Sequence, residues 1–259
     1  MKCKVCDFQF KSPSIPEEKL LACYAAAEDN HWGAVVNPIE RNFDRLASAI
    51  RKNAKGKSIL DIGCFNGAFL EYLGSDWDRY GVEPCESAKK VAKTRGVNVL
   101  ADTINLIPAE SKFEVITAFD VIEHIVDPNS FFQRVRTHLA PGGVLVLSSG
   151  DTHSISWRLQ GARYWYCSYL PEHFSFFCKK TLNFLGERYG MVTISHDHMS
   201  HKRTQLSERL FQSFNGLVYA GLLRFNWMGL TKLKTKFSER AGTSWVSAND
   251  HFIHVFRSN

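Results

Sequence analysis

Two acids and two glycines raise the first chemical question. Asp61 sits inside the apolar run Ile59-Leu60-Asp61-Ile62, and the turn Gly63-Cys64-Phe65-Asn66-Gly67 follows it directly. Glu83 and Pro84 end a second apolar run, about 20 residues beyond that turn, the spacing at which a strand-end acid meets a ribose. Glycines between a strand and a helix let the backbone approach a ligand, and a helix N-terminus favours negative charge. A dinucleotide site would require G-x-G-x-x-G, but Phe65 stands where the central glycine belongs and no third glycine is in place. Asp61 is a poor neighbour for a phosphate and a good one for an ammonium group. Glu83 can accept both hydroxyls of a ribose. The set asks for a nucleoside with an amino-acid-like tail and no phosphates, a description that S-adenosylmethionine fits.

The elements that must position these residues alternate. Apolar runs at 58–62, 79–83, 97–100, 113–119 and 144–148 read as strands. The stretches 41–52, 68–73, 87–94 and 129–139 read as helices, the first with Phe43, Leu46, Ala47 and Ile50 at helical spacing. The turn Pro141-Gly142-Gly143 precedes the strand 144–148. Such alternation with short connections implies a parallel sheet with helices on both faces. Beyond Gly150 come an aromatic stretch, a helix at 179–189, a strand at 191–194 and a final strand at 252–256. The first stretch of the chain shows no clear period.

Four segments in register carry a resemblance. ILDIGCFNG (59–67), YGVEP (80–84), FEVITAFDVIEHIVDP (113–128) and LAPGGVLVLS (139–148) resemble the successive motifs of class I S-adenosylmethionine-dependent methyltransferases. The resemblance implies an α/β, Rossmann-like three-layer sandwich whose seven-stranded, mostly parallel sheet has an antiparallel last strand. It implies that Asp61, Gly63, Cys64 and Gly67 line the methionine end of the cofactor, that Glu83 with Pro84 holds the ribose, and that Asp102 lies near the adenine amino group. Phe119, Asp120 and His124 would flank the cofactor after the fourth strand. Phe65 departs from the family's usual glycine. Each residue also has a plain structural reading: Asp61 as a strand-end acid, the glycines as turn formers, Glu83 and Asp102 as solvated charges.

Methyl transfer from a sulfonium is an in-line displacement with a good leaving group, so positioning can supply most of the acceleration. An oxygen acceptor also benefits from a base. The candidates are Asp151 and His153, directly after the fifth strand, and His173, in a Pro171-Glu172-His173 segment similar to one in small-molecule and glycan-pathway methyltransferases. A buried, loop-ordering histidine is the alternative for His173. Glu123 and His124 could bind a divalent metal, but neighbours on a helix do not share a face, so the expectation is no metal there. Cys3 and Cys6 have zinc-ligand spacing without a trustworthy second pair, Cys23 and His31 being poorly spaced for it.

The chain has 259 residues, 44% hydrophobic and 22% charged, in the range of ordinary globular proteins. Its seven cysteines are scattered, as expected of reduced, mostly buried thiols. No apolar run approaches the roughly 18 residues of a membrane span, and the N-terminus lacks a signal-peptide core. The expected location is the cytoplasm. The net charge of +6 resides in one segment, 202–240, which carries eight basic and two acidic residues. Leu210, Phe211, Phe214, Leu217, Val218, Leu222 and Phe225 fall there at helical spacing. This amphipathic insertion is expected to pack on the domain or to make a peripheral contact with the inner face of an anionic membrane. Its apolar content disfavours nucleic acid. The expected division is an N-terminal extension, 1–40, and a methyltransferase domain, 41–259.

The function expected is O-methylation of a small molecule, a sugar or a lipid-linked intermediate. The rivals are a cofactor-binding protein without transfer and an RNA or protein methyltransferase. The segment AFDV (118–121) lacks the Asn/Asp-Pro-Pro-Tyr signature of many amino-group methylators, which counts against the last.

Overall fold

The apolar runs of the first half become adjacent parallel strands, buried on both faces as their near-continuous hydrophobicity requires. The computed structural model describes residues 1–12, 15–26, 42–160, 172–201, 207, 210–211, 214 and 249–259. In chain order the elements are β1 (Gln9–Phe10), α1 (Glu17–Ala26), α2 (Phe43–Asn53), β2 (Ser58–Ile62), α3 (Ala68–Leu73), β3 (Asp78–Val82), α4 (Glu86–Thr94) and β4 (Asn98–Ala101). They continue with β5 (Phe113–Phe119), α5 (Pro128–His138), β6 (Leu139–Gly150), α6 (Ile155–Gln160), β7 (Ser175–Phe176), α7 (Lys179–Arg188), β8 (Met191–Met199) and β9 (His251–Ser258). Single 3-10 turns occupy Ile104–Leu106 and Ile122–His124.

The main sheet has seven strands in the order β4-β3-β2-β5-β6-β9-β8. Strands β2 to β6 are mutually parallel, and β9 runs antiparallel to both β6 and β8. Strand order reverses between β2 and β5, the place where an open α/β sheet forms a crevice beyond its carboxyl ends. Leu46, Ala47 and Ile50 of α2 pack with Leu70, Val115 and Val146 on one face. Phe131, Phe132 and Val135 of α5 pack with Leu182 and Phe256 on the other. The start of α5 is locally encoded: Pro128 occupies the first turn and the Asp127 carboxylate accepts the Asn129 amide at 3.0 Å.

The structure extends two strands and adds elements. The Pro141-Gly142-Gly143 turn lies within β6, where the pairing to β5 jumps from Phe113↔Leu139 to Val115↔Val144 and Gly142 takes a φ of 72°. The turn is thus a bulge in a longer strand. β8 runs to Met199, past the apolar run, through the polar residues Ser195-His196-Asp197-His198 of an edge strand. The unpatterned N-terminal stretch forms β1 and α1. β1 pairs antiparallel with β7, Phe8 meets Phe177 at a ring separation of 5.3 Å, and the Thr181 hydroxyl donates to the Cys6 carbonyl at 2.8 Å.

Cys6, Cys64, Cys85 and Cys178 are buried, Cys23 is exposed, and no disulfide joins the described cysteines. Among the described residues no helix is long and apolar enough to cross a membrane. Residues 207, 210, 211 and 214 are helical, with Leu210, Phe211 and Phe214 exposed. The remainder of the 202–240 segment, with His31 and Cys167, lies outside the described residues.

Candidate active site

A cavity of about 470 Å³ opens at the switch point, beyond the carboxyl ends of β2, β3 and β5. Asp61, Gly63, Cys64, Glu83, Pro84, Asp102, Phe119, Asp120, His124 and His173 all line it. Gly67 caps the N-terminus of α3 immediately behind it.

The turn after β2 is held open by backbone conformation. Gly63 and Gly67 have φ of 72° and 76°, in the left-handed region that side chains disfavour. A Cβ on Gly63 would lie 2.6 Å from Val121 Cγ2, and one on Gly67 would lie 3.1 Å from the Ala92 Cα. Phe65 takes a φ of 46°, so it reproduces the glycine-like path with a side chain attached. The departure from the family pattern therefore leaves the turn's path intact. Its amide donates to Glu83 Oε2 at 2.8 Å, while the Cys85 amide donates to Glu83 Oε1 at 2.8 Å. Glu83 is thereby fixed at the end of β3, and each oxygen keeps a further lone pair for a ligand. Burial raises its affinity for a proton, and the two amides oppose that effect.

Asp61 is buried, with Oδ1 accepting the Thr117 hydroxyl at 2.6 Å. Burial pushes its carboxyl up to about 7, the Thr117 hydrogen bond opposes, and the neighbouring Glu83 adds to the rise. A cation beside these acids would favour their charged forms. No Lys or Arg is among the described residues lining the cavity. Asp102 faces the cavity from the residue after β4, with Oδ1 held by Lys89 at 2.6 Å. The walls include Phe119, whose ring meets Phe69 edge-on at 4.9 Å. An acidic, partly apolar cavity with a glycine cradle fits a nucleoside bearing a cationic tail, and it does not fit a pyrophosphate.

The opposite end of the cavity is built from imidazoles and a phenol. His124 Nδ1 lies 2.8 Å from the Tyr24 hydroxyl, and its ring meets His173 edge-on at 4.7 Å. Burial lowers His124 to about 4, so it is neutral at pH 7. His173 is only 4% exposed. Glu123 accepts the Ser149 hydroxyl at 2.8 Å, and one ligand atom each of Glu123, His124 and His173 lies within 4.8 Å of the others. Glu123 and His124 lie on the 3-10 turn Ile122–His124, and His173 joins them from a distant segment of the chain. Asp120 has a φ of 53°, with Oδ1 accepting the Ser148 hydroxyl at 3.2 Å and Oδ2 3.6 Å from His201 Nδ1.

Asp151 and His153 are not brought to this cavity. β6 carries the chain past its rim, and Asp151 bridges to Phe177 while accepting the His153 amide at 2.8 Å. His153 lines a separate cleft with Cys6 and Lys180, its Nε2 3.7 Å from Asp7. The expectation that both serve as bases at the cavity is corrected accordingly. Cys3 and Cys6 gain no third ligand among the described residues. Sequence reasoning missed Tyr24, Ser148, Met199 and His201 as lining residues.

A family model for a methyltransferase domain matches residues 33–196, more than half of the chain. The chain is 24% identical over 185 residues to the ubiquinone biosynthesis O-methyltransferase of Bradyrhizobium diazoefficiens, covering 61% of this chain and 73% of that one. It is 29% identical over 172 residues to the protein of the same name from Escherichia fergusonii, covering 60% and 72%. Among solved structures, the N-methyltransferase NodS from Bradyrhizobium japonicum in complex with S-adenosyl-L-homocysteine superposes with a TM-score of 0.57 at 17% identity, covering 93% of this chain and 97% of that one. That likeness shows the fold. The chain belongs to the methyltransferase-domain family and is an S-adenosylmethionine-dependent methyltransferase.

Proposed function

We propose that the chain methylates a hydroxyl oxygen of a small acceptor, and that the imidazole end of the cavity is where the acceptor reacts. The observation that carries this reading is the placement of buried His173 beside His124 and Glu123, opposite the Glu83 end. The similarity to ubiquinone biosynthesis O-methyltransferases supports oxygen as the acceptor atom.

S-adenosylmethionine, when bound, supplies a methyl group on a sulfonium. Glu83 accepts hydrogen bonds from the ribose hydroxyls, Asp61 receives the ammonium group, and Gly63 leaves room for the tail. Asp102 and the turn at Ile104–Leu106 border the base. His173 accepts the proton that the acceptor hydroxyl releases as its oxygen takes the methyl group. His124 and Tyr24 hold that imidazole in place. Apolar walls exclude water, so the acceptor oxygen is the nucleophile that meets the methyl group, and its alignment can be worth effective molarities of roughly 10⁵–10⁸ M.

The test is methyl transfer from radiolabelled S-adenosylmethionine to a panel of catechols, other phenols, sugars and lipid-linked hydroxyl compounds, each paired with its amine analogue. Label on oxygen, lost in His173→Ala with cofactor binding retained, is the expected outcome. Label found only on amines would overturn the oxygen assignment.

A further inference from the structure

A second group of chemistry-bearing residues meets at the sheet edge, away from the cavity. His196 and His198 are two residues apart on β8, so both side chains stand on one face of the strand. The register sets His196 opposite His254 and His198 opposite Phe252. Asp151, just past β6, is buried and turns its carboxylate to the same place, with Oδ2 3.4 Å from His198 Nδ1. One ligand atom of each of Asp151, His196 and His198 lies within 4.8 Å of the other two, and none of the three lines the cavity.

A chain of hydrogen bonds fixes where the protons sit. The Thr193 hydroxyl donates to Asn183 Oδ1 at 2.9 Å, so its oxygen accepts the Nε2–H of His254 at 3.1 Å. Neutral His254 then carries its lone pair on Nδ1, which takes the Nδ1–H of His196 at 2.9 Å. Neutral His196 is left with a lone pair on Nε2, and that atom is buried without a hydrogen-bond partner.

We propose that Asp151, His196 and His198 form a binding site for a divalent transition-metal ion of the zinc class. Two imidazoles and one carboxylate are a donor set for zinc, iron or copper and not for magnesium or calcium, which prefer all-oxygen shells. Ligand atoms around tetrahedral zinc, each about 2.0–2.2 Å from the ion, stand roughly 3.4 Å apart. Asp151 and His198 already have that separation, and a ligand atom of His196 lies within 4.8 Å of both. His254, Thr193 and Asn183 form the outer shell that orients His196, an imidazole standing where a carboxylate or carbonyl usually accepts from a ligating histidine. His198 is half exposed and gives an ion access from solvent.

The test uses the full chain, stripped with a chelator and titrated with Co²⁺, whose visible absorption reports tetrahedral nitrogen and oxygen ligands. Wild type is expected to take up an equivalent that His198→Ala loses with unchanged circular dichroism, and that His173→Ala retains. Thr193→Val is expected to weaken this equivalent by about 10- to 100-fold through the outer shell alone. Absence of uptake by folded wild type, or equal uptake by His198→Ala and His196→Gln, would overturn the proposal. A nitrogen-15 spectrum of the metal-free protein supplies a second readout. It should show His196 as the Nδ1–H tautomer. An Nε2–H tautomer would mean that the chain of hydrogen bonds runs the other way, leaving no lone pair on Nε2 for a metal.

Discussion

The two ends of the cavity are made of different materials. At the end proposed for the cofactor, the walls are backbone and carboxylates: left-handed Gly63 and Phe65 backed by Gly67, two amides locked on Glu83, and Asp61 tied to Thr117. At the end proposed for the acceptor, the walls are side chains from separate segments: Tyr24 from α1, His124 from a 3-10 turn, His173 ahead of β7, and Met199 and His201 at the end of β8. A rigid backbone cradle suits a ligand shared across a family. A wall assembled from distant segments can change residue by residue without disturbing that cradle, as the proposed acceptor end requires.

Substitutions at the two ends should therefore separate. His173→Ala is expected to lower kcat by roughly 10²–10⁴, the usual contribution of a positioned base, with S-adenosylhomocysteine affinity nearly unchanged. Calorimetry and turnover with any acceptor the wild type methylates check both halves; a matching loss of cofactor affinity would erase the contrast. Glu83→Ala should do the reverse, weakening S-adenosylhomocysteine by about 100-fold through loss of a charged hydrogen-bond acceptor, with Glu83→Gln recovering part of it.

Asp61 makes the cofactor end sensitive to pH. It holds its proton up to about 7 in the folded chain, whereas an unfolded aspartate releases it near 4. The folded state binds more protons between those values, so this residue's contribution to stability is present at low pH and is lost as pH rises through about 7. Binding of a cationic tail requires the ionised form, so S-adenosylmethionine affinity should rise up to roughly tenfold from pH 6 to pH 8. Asp61→Asn should flatten both profiles, measured by thermal unfolding and calorimetry. The smallest effect belongs to Phe65. Phe65→Gly relieves roughly 1–2 kcal/mol of left-handed strain but adds about 0.5–1 kcal/mol of chain entropy. Its stability should stay within about 1 kcal/mol of wild type, whereas Gly67→Ala should cost more, because its Cβ would meet the Ala92 backbone.

The same contrast explains what was legible in the sequence. Asp61, Gly63, Gly67 and Glu83 lie at or just beyond the ends of apolar runs, where the strand pattern marks a rim, and the resemblance to class I methyltransferases adds Asp102, Phe119, Asp120 and His124. Tyr24 reaches His124 across 100 residues of chain, and no local pattern announces such a contact. α1 shows one buried residue, Leu20, and so has no strong period to read. The apolar run 191–194 predicts only the first half of β8, because the polar run Ser195-His196-Asp197-His198 carries no strand period and is tolerated at a sheet edge. The position of Asp151 and His153 directly after β6 points to the cavity rim. The bridge from Asp151 to Phe177 turns that segment away.

The most direct measurement is a calorimetric competition on the wild-type chain, with S-adenosylhomocysteine, NAD⁺ and ATP titrated separately. A cavity with acidic lining and no lysine or arginine among its described residues should take one equivalent of S-adenosylhomocysteine and neither of the phosphate-bearing nucleotides. Binding of NAD⁺ or ATP in its place, or folded protein that ignores S-adenosylhomocysteine, would contradict the account.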